Sequence, residues 1–202
     1  MNEKPTILPL ITVTPAAVTT VPVVQTFDLN MRTTLENIQL QLAGSYEQSV
    51  GAETMATEGN VALIDSIWIE VDGVVQRLWK GPALYEGNRI MGGAALAQTD
   101  PAVGVAAGKA FSCTLQLDMG RLDLKDWINP QTGKPESLAA MTYLDLTDVT
   151  KAILKEQFAA FNRYVSGNTQ GSLTYTLRAT AMELPGYRPV KVKGRQLHFD
   201  LI

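Results

Sequence analysis

The side chains that carry out nucleophilic or acid–base catalysis are scarce in this sequence. The chain contains one histidine, His198, and one cysteine, Cys113. A Ser-His-Asp or Cys-His site would have to use His198, but this residue alternates with Leu197 and Phe199, which is typical of an ordinary strand position. A lone cysteine also forms neither an intrachain disulfide nor a multi-cysteine zinc site. We therefore predict that the chain is not an enzyme and that it holds no cofactor and no metal.

Two short segments have some of the residues of a ligand site but lack others. Residues 104–110 contain two glycines and a lysine, as a phosphate-binding loop does, but only three residues separate the glycines and Ala110 stands where a Ser or Thr would hold magnesium. We interpret this segment as a flexible surface loop. Asp145 and Asp148 are spaced to share a cation, but isolated carboxylates more often cap or solvate a helix end, so we predict no metal site there.

Two groups of residues are candidates for contact with other molecules. Lys191, Lys193 and Arg195 form a basic run, and strand alternation would project Lys191 and Lys193 from the same face. They are suited to an acidic neighbouring subunit, to the lipid headgroups of a membrane or to nucleic acid; the alternative is a solvated strand face that discourages aggregation. Trp68 is out of phase with its two isoleucine neighbours, which places it on the outer side of a sheet, where a tryptophan suits a subunit contact.

The composition is that of a globular chain. Of the 202 residues, 46% are hydrophobic and 18% are charged, which excludes a disordered chain, and this length buries a substantial core without disulfides or metals. The formal net charge of −3 gives no overall attraction to nucleic acid. No apolar stretch approaches the roughly 20 residues that cross a bilayer, and the prolines and Glu3 in the apolar N-terminal segment argue against a secretion signal.

Short β-strands are the elements that must position these residues. Apolar and polar residues alternate with period two in three segments, which predicts half-buried strands at residues 35–43, 111–119 and 173–181. A further strand-like run covers residues 23–31. Cys113 lies on the apolar side of its segment, so we predict a buried and inert thiol.

A hairpin is predicted around Asp72 and Gly73. This dipeptide separates two strand-like runs, residues 63–71 and 74–79. A type I′ turn requires positive φ at both of its central positions, and Asp-Gly is one of the pairs that adopt it. The two runs are therefore predicted to be neighbouring antiparallel strands.

Helices are predicted in two of the connections. Residues 83–91 are compatible with a short helix. Residues 147–161 form the most convincing helical stretch, because their large apolar side chains recur at about helical spacing and Thr147 or Asp148 is suited to cap the first turn. The segments rich in polar or small residues are predicted to be loops, at residues 44–60, 92–109 and 129–136.

Residues 1–22 differ from the rest of the chain in being rich in Pro, Thr and Val. Prolines favour extended structure and remove backbone donors, so this segment is either an extended arm that supplies an edge strand or a floppy terminus. We divide the chain into an arm, residues 1–22, and one domain, residues 23–202. Roughly eight to ten strands, with one or two short helices in the connections, predict an all-β sandwich of two antiparallel sheets.

The order of these elements resembles a known family. Phe27-Asp28-Leu29 leads into LENIQLQLAG at residues 35–44; a polar loop is followed by LIDSIWIEVDG at residues 63–73, then by the hairpin and GPALYE at residues 81–86. This order resembles the upright jelly-roll capsid proteins of tailless icosahedral phages, many of which carry an internal membrane. The resemblance covers roughly residues 23–183. Many members have two jelly rolls in a longer chain, and this chain has room for one, so it resembles the single-jelly-roll type.

The resemblance implies a fold and a function. The fold would be a single jelly-roll sandwich, and the function that of a virion structural protein, a capsid subunit that assembles into oligomeric capsomers of an icosahedral shell. The implied partners are other copies of the chain, other capsid proteins, and an internal membrane or the packaged genome, with no small-molecule substrate. The implied location is the virion, assembled in the host cytoplasm, and the arm would add a strand to a neighbour.

Two other functional classes stay open. A carbohydrate- or receptor-binding sandwich, such as a phage fibre or spike domain, would cluster exposed aromatic residues on its loops. The predicted loops at residues 44–60 and 92–109 contain a single aromatic residue, Tyr46. An enzyme of the glycosidase type would use acidic residues within strands. The candidates are residues that alternation also allows to face solvent: Glu70, Asp118 and Glu183.

Overall fold

Two antiparallel sheets dominate the described part of the molecule. The computed structural model describes residues 4–7, 11–13, 23–47, 54–56, 59–92, 109–120, 127–128, 133, 135–136, 142–166, 172–186 and 188. With strands numbered in chain order, the larger sheet contains β1 (Lys4–Ile7), β2 (Ile11–Val13), β4 (Thr34–Glu47), β8 (Lys109–Asp118), β11 (Leu144–Asp145) and β14 (Ser172–Leu184). The smaller sheet contains β3 (Val23–Asp28), β6 (Ile64–Val71), β7 (Val74–Lys80) and β12 (Ala152–Phe158).

Shorter elements lie in the connections between these strands. β5 (Thr54–Met55) pairs with β13 (Val165–Ser166), and β9 (Trp127–Ile128) pairs with β10 (Pro135–Glu136). The helical elements are a 3₁₀ turn (Gly59–Leu63), α1 (Gly81–Gly92) and the four-residue α2 (Phe161–Tyr164). The β9–β10 hairpin replaces part of the loop predicted at residues 129–136.

The strand order is that of a jelly roll. In the larger sheet β14 and β4 are central; β1 and β2 pair with the other edge of β14, and β8 pairs with the other edge of β4. The smaller sheet has the order β3-β12-β6-β7. When β1 and β2 count as one strand, the eight main strands run 1-8-3-6 in one sheet and 2-7-4-5 in the other. This order confirms the predicted all-β, two-sheet jelly-roll sandwich.

The segment predicted to be an arm contributes two strands to the chain's own larger sheet. β1 pairs with residues 180–183 and β2 with residues 175–177. They lie at the edge of the sheet, where Pro5 is tolerated because an edge strand does not need every N–H. The division of the chain at residue 22, and an arm that joins a neighbour, stay predictions.

The core lies between the inner sides of the two sheets. In the larger sheet Leu40 of β4 stands opposite Leu115 of β8, and both are buried. Phe158 of β12 packs across the core on Tyr175 of β14, with ring centroids 4.7 Å apart. The three alternating segments are confirmed as strands β4, β8 and β14, and Cys113 is buried as predicted.

The loop predicted at residues 44–60 is wrong in its first part, because β4 continues to Glu47. Gly44 lies so close to β14 that a Cβ at this position would collide with the carbonyl oxygen of Thr174 and with the Tyr175 side chain. The glycine that suggested a loop is therefore required by the close approach of two paired strands. The 3₁₀ turn and β5 occupy further parts of the predicted loop.

The helix predicted at residues 147–161 is also wrong. Residues 152–158 form β12, which lies between β3 and β6, and the helical turn α2 begins only at Phe161. The inward-facing residues of β12 recur with period two: Ala152, Leu154, Glu156 and Phe158. Glu156 concealed this alternation, because a charged residue in an inward position resembles the polar side of an amphipathic helix.

The predicted hairpin and the predicted short helix are confirmed. Asp72 has φ of 49° and Gly73 has φ of 83°, which are the two positive values that a type I′ turn needs. α1 begins two residues earlier than predicted, at Gly81. The predicted small-residue loop, apart from Gly92 and Lys109, lies outside the described residues.

Candidate subunit interface

Trp68 lies on the outer side of the smaller sheet, as predicted. Its neighbours in β6, Ile67 and Ile69, are buried in the core, whereas Trp68 is partly exposed. Lys155 of β12 and Leu78 of β7 flank it in the register of the sheet. The position is therefore accessible to another molecule, and the role of Trp68 in a subunit contact stays a prediction.

The side chains around Trp68 form a continuous surface, which we call the Trp68 face. It comprises two cross-strand rows: Lys155, Trp68 and Leu78 in one, and Ile153, Glu70 and Val75 in the other, with Ile153 itself buried. Residues that stand opposite each other in neighbouring strands project from the same side of a sheet. The Trp68 face therefore spans the central and edge strands β12, β6 and β7.

Strand β7 has an unusual share of exposed apolar side chains. Val74 is 57% exposed, Val75 is 42% exposed and Leu78 is 50% exposed. Seven large hydrophobic side chains are exposed among the described residues, and three of them belong to this one short strand. Val75 and Leu78 project from the same side as Trp68, whereas Val74 stands opposite the inward-facing Val71. Single exposed aliphatic residues are common on soluble proteins, but two beside a partly exposed tryptophan are typical of a contact surface.

The charged groups of this surface are paired within the chain. Lys155 Nζ donates to Glu70 Oε2 at 2.7 Å, and this hydrogen bond lowers the pKa of Glu70. Beside the Trp68 face, Asp65 forms ion pairs with Lys80 at 3.4 Å and with Arg163 at 3.0 Å. The surface is therefore apolar with internally compensated charges.

The outer side of the larger sheet has different chemistry, and we call it the polar face. Its side chains are mostly uncharged polar groups, and none of the exposed large hydrophobic residues of the described part of the chain lies on it. The residues that form it are Gln39, Gln41, Thr114, Gln116, Thr174, Thr176, Arg178 and Thr180. Such a surface is well solvated and needs no partner.

The outer edge of β8 in the larger sheet and the outer edge of β7 in the smaller sheet are both protected from pairing with further strands. Asn88 of α1 binds the backbone of Gln116 in β8 twice: its Nδ2 donates to the carbonyl oxygen at 2.9 Å and its Oδ1 accepts from the N–H at 2.9 Å. β7 has a bulge in its pairing with β6, and Arg77 donates to the carbonyl oxygen of Gln76 at 3.0 Å. Bulges, charges and covered edges all disfavour strand addition.

The remaining ligand-site candidates are not brought together. Asp145 accepts hydrogen bonds from the backbone and side chain of Thr147, and Asp148 pairs with Arg188 at 3.3 Å. No group of three or more His, Cys, Asp or Glu side chains is placed to hold a metal in the residues that the structure describes. The basic run and the histidine lie outside the described residues: Lys191, Lys193, Arg195 and His198.

The three acidic residues considered for a glycosidase-type site lie in two different sheets. Glu70 is on the outer side of the smaller sheet and is ion-paired. Asp118 of β8 is half-buried, which raises its pKa, and it accepts a hydrogen bond from Gln116 at 2.7 Å. Glu183 is buried, so the expectation that it faces solvent is wrong. Glu70 therefore lies in a different sheet from Asp118 and Glu183.

The most unusual carboxyl group is that of Glu156, which the analysis of the sequence missed. Glu156 is fully buried on the inner side of β12, and neither carboxyl oxygen has a hydrogen-bond partner among the described residues. Burial raises its pKa to about 8. Burial also raises the pKa of Tyr175, and the negative charge of Glu156 raises it further. The period of two in its apolar neighbours was the signal that would have identified an inward position.

Solved structures match this fold, although no protein-family model and no curated protein sequence matches the chain. The crystal structure of the STIV MCP matches with a TM-score of 0.58 at 15% identity, over 90% of this chain and 48% of that chain. The major capsid protein P2 from bacteriophage PM2 matches with a TM-score of 0.52 at 14% identity, over 93% of this chain and 52% of that chain. A chain in the structure of Sulfolobus Turreted Icosahedral Virus matches with a TM-score of 0.52 at 16% identity, over 89% of this chain and 45% of that chain.

The chain therefore spans about half the length of these solved structures. At identities of 14% to 16% the shared property is the fold. In the part of the chain that the structure describes, no helix has the length and apolarity of a membrane span. The resemblance to jelly-roll capsid proteins is confirmed at the level of the fold: this chain has the jelly-roll fold of viral major capsid proteins.

Proposed function

We propose that the chain is a capsid subunit that assembles into oligomeric capsomers of an icosahedral virion. The observation that carries the proposal is the match of at least 90% of the chain to the STIV MCP and to protein P2 of bacteriophage PM2. The Trp68 face supports it, because exposed aliphatic side chains around a tryptophan are typical of a surface that is covered in an assembly.

The proposed partners are other copies of the chain and other capsid proteins. The proposed location is the virion, after assembly in the host cytoplasm. Lys191, Lys193 and Arg195 are proposed to contact a neighbouring subunit, an internal membrane or the packaged genome, and residues 1–22 to reach a neighbour. We propose no catalytic role, because the chain contains one histidine and one cysteine and because Glu70 lies in a different sheet from Asp118 and Glu183.

A carbohydrate- or receptor-binding module is less well supported. Such a module presents aromatic side chains on loops, whereas the exposed large hydrophobic residues in the described ranges are all valine, leucine, isoleucine or methionine. The partly exposed Trp68 lies within a sheet and not on a loop. This arrangement favours contact with a broad protein surface over binding of a small glycan.

The test is the mass of the native chain in solution. We expect light scattering over a concentration series to show discrete trimers, pentamers, hexamers or shells, with electron microscopy showing uniform particles. The same series on a chain without residues 1–22 tests whether this segment joins subunits. A monomer at every concentration would contradict the proposal, and a glycan screen would then test the binding module.

A further inference from the structure

We infer that the Trp68 face is the surface on which one copy of this chain binds a second copy. The inference rests on the proposed function, which requires contacts between copies but does not specify their location. The occupant is thus a protein surface identical to the one described here.

Apolar groups reach the solvent in a cluster on one side of the sandwich. Leu78 and Val75 are about half exposed, and Trp68 lies beside Leu78. Each square ångström of apolar surface removed from water contributes roughly 25 cal/mol. Cores of protein interfaces are enriched in aromatic side chains and depleted in charged residues. The Trp68 face has the tryptophan, and its two charged residues, Lys155 and Glu70, are paired with each other.

The charges of this surface favour a second copy over a nucleic acid or an anionic membrane as the occupant. Glu70 is paired with Lys155, and Asp65 is paired with Lys80 and Arg163. The surface therefore has no large excess of either sign that would attract a nucleic acid or an anionic membrane. In a contact between identical surfaces like charges approach each other, and pairing within each chain reduces that repulsion.

The contact is made by side chains and not by extension of the sheet. β7 is an edge strand, but its bulge and Arg77 disfavour backbone pairing with a strand of another chain. Leu78 and Trp68 project from the side of the sheet and stay accessible. Two smaller sheets of neighbouring copies would therefore pack face against face.

The size of the structural neighbours is consistent with a second copy in this position. The chain matches 48% of the STIV MCP and 52% of protein P2 of bacteriophage PM2. The rest of each lies outside the match. A second copy bound at the Trp68 face would supply a comparable mass.

The test introduces one charge on each outer side of the sandwich. Leu78→Glu places a carboxylate in the Trp68 face, and Gln41→Glu places one at an exposed strand position of the polar face. We expect the dissociation constant from sedimentation equilibrium to rise roughly 30-fold or more for Leu78→Glu, as for loss of an interface hot spot. We expect Gln41→Glu to match the unchanged chain, and circular dichroism to show that both variants fold.

The possible outcomes separate the inference from the proposed function. If the unchanged chain is oligomeric and Leu78→Glu leaves the oligomer intact, the Trp68 face is not the contact, and the proposed function stands. If the unchanged chain is monomeric throughout, both the inference and the proposed assembly are wrong. Equal weakening by both substitutions would also overturn the assignment of this particular face.

Hydrogen exchange of the unchanged chain tests the same surface without any substitution. We expect amide protection in β6 and β7 to increase with protein concentration at least tenfold more than in β4. Protection of β6 and β7 that is the same at every concentration would overturn the inference.

Discussion

The two sheets of the sandwich distribute polarity in different ways. In the larger sheet the rule of apolar inside and polar outside is followed along most of each strand: Leu40 and Leu115 face the core, while Gln41 and Thr114 lie on the outer side. An exception is the buried Glu183 near the end of β14. The smaller sheet departs from this rule on both sides. Its inner side contains the fully buried Glu156, and its outer side contains the Trp68 face.

The difference indicates which of the two outer surfaces is accounted for by the stability of a single domain. A soluble single domain is stable with an outer surface like the polar face, so the outer side of the larger sheet needs no partner to explain it. Local departures from the expected pattern usually mark function or strain. The outer departure, Trp68 with Leu78, suits a partner, whereas the inner departure, Glu156, lowers the stability of the single chain at neutral pH.

The largest expected effect on stability comes from replacing the buried Glu156. A buried acid with a raised pKa binds its proton more tightly in the folded chain, so stability falls by about 1.4 kcal/mol per pH unit between the ordinary pKa of 4.5 and the folded value of about 8. We expect Glu156→Gln to stabilise the chain by on the order of 3 kcal/mol at pH 7 and to have little effect at pH 4. Urea unfolding across this pH range measures both.

Glu70→Gln is the matched control on the outer side of the same sheet. Because Lys155 lowers the pKa of Glu70, the contribution of Glu70 is present at neutral pH and is lost as pH falls through the acid range. Its removal should therefore lower stability at neutral pH, leave it unchanged at low pH, and alter the slope of the stability profile only in the acid range. An unchanged slope between pH 5 and 8 in Glu156→Gln would show that Glu156 is already ionised or solvated in the folded chain.

The protected edge of the larger sheet predicts the next largest effect. Asn88→Ala leaves the N–H and carbonyl groups of Gln116 without their side-chain partner, which should cost about 1–3 kcal/mol and promote aggregation through β8. Thermal unfolding and turbidity measure the two effects. Asn88→Asp keeps the acceptor for the Gln116 N–H and should be intermediate. Full solubility of Asn88→Ala would mean that α1 covers this edge without Asn88.

The hairpin of the smaller sheet depends on Asp72. Its Oδ1 accepts hydrogen bonds from the backbone N–H groups of Thr150 at 2.9 Å and Lys151 at 2.8 Å, and its φ is positive. We expect Asp72→Ala to lower the free energy of unfolding by about 1–2 kcal/mol. Asp72→Asn keeps an acceptor and tolerates positive φ, so urea unfolding should place it within about 0.5 kcal/mol of the unchanged chain.

The smallest expected effect on stability comes from replacing Leu78. It tests whether the exposed apolar residues of the Trp68 face stabilise the single chain. Leu78→Thr gives β7 the kind of residue found on the polar face. Because Leu78 is half exposed, unfolding of the dilute monomer should change by no more than about 0.5 kcal/mol. A loss of more than about 2 kcal/mol would show that the Trp68 face stabilises the single chain, and the contrast between the two outer sides would then reflect folding and not assembly.

Elements with simple local rules were predictable from the sequence. The strands of the larger sheet alternate cleanly, since each has one buried and one solvated side. The Asp72-Gly73 turn follows from the two positive φ values that the turn requires. The outward position of Trp68 follows from its phase relative to Ile67 and Ile69, so this part of the candidate interface was within reach of sequence reasoning.

Elements that depend on non-local contacts were not predictable in the same way. β12 was assigned to a helix because Glu156 occupies an inward position that only the packing of two sheets defines. The end of β4 was assigned to a loop because the close approach of Thr174 to Gly44 joins residues far apart in the chain. Asn88 is an unremarkable helical residue until Gln116 of β8 lies beside it.

By itself, then, the sequence determined the β class, the main turn and the side of the sheet on which Trp68 lies, because these follow from φ preferences and from period-two alternation. Only the tertiary structure decided that Leu78, Val75 and Trp68 join in one surface, since they come from two strands and a bulge sets their register. It also decided that Glu156 is buried, because burial depends on what packs on a residue and not on the residue's own chemistry.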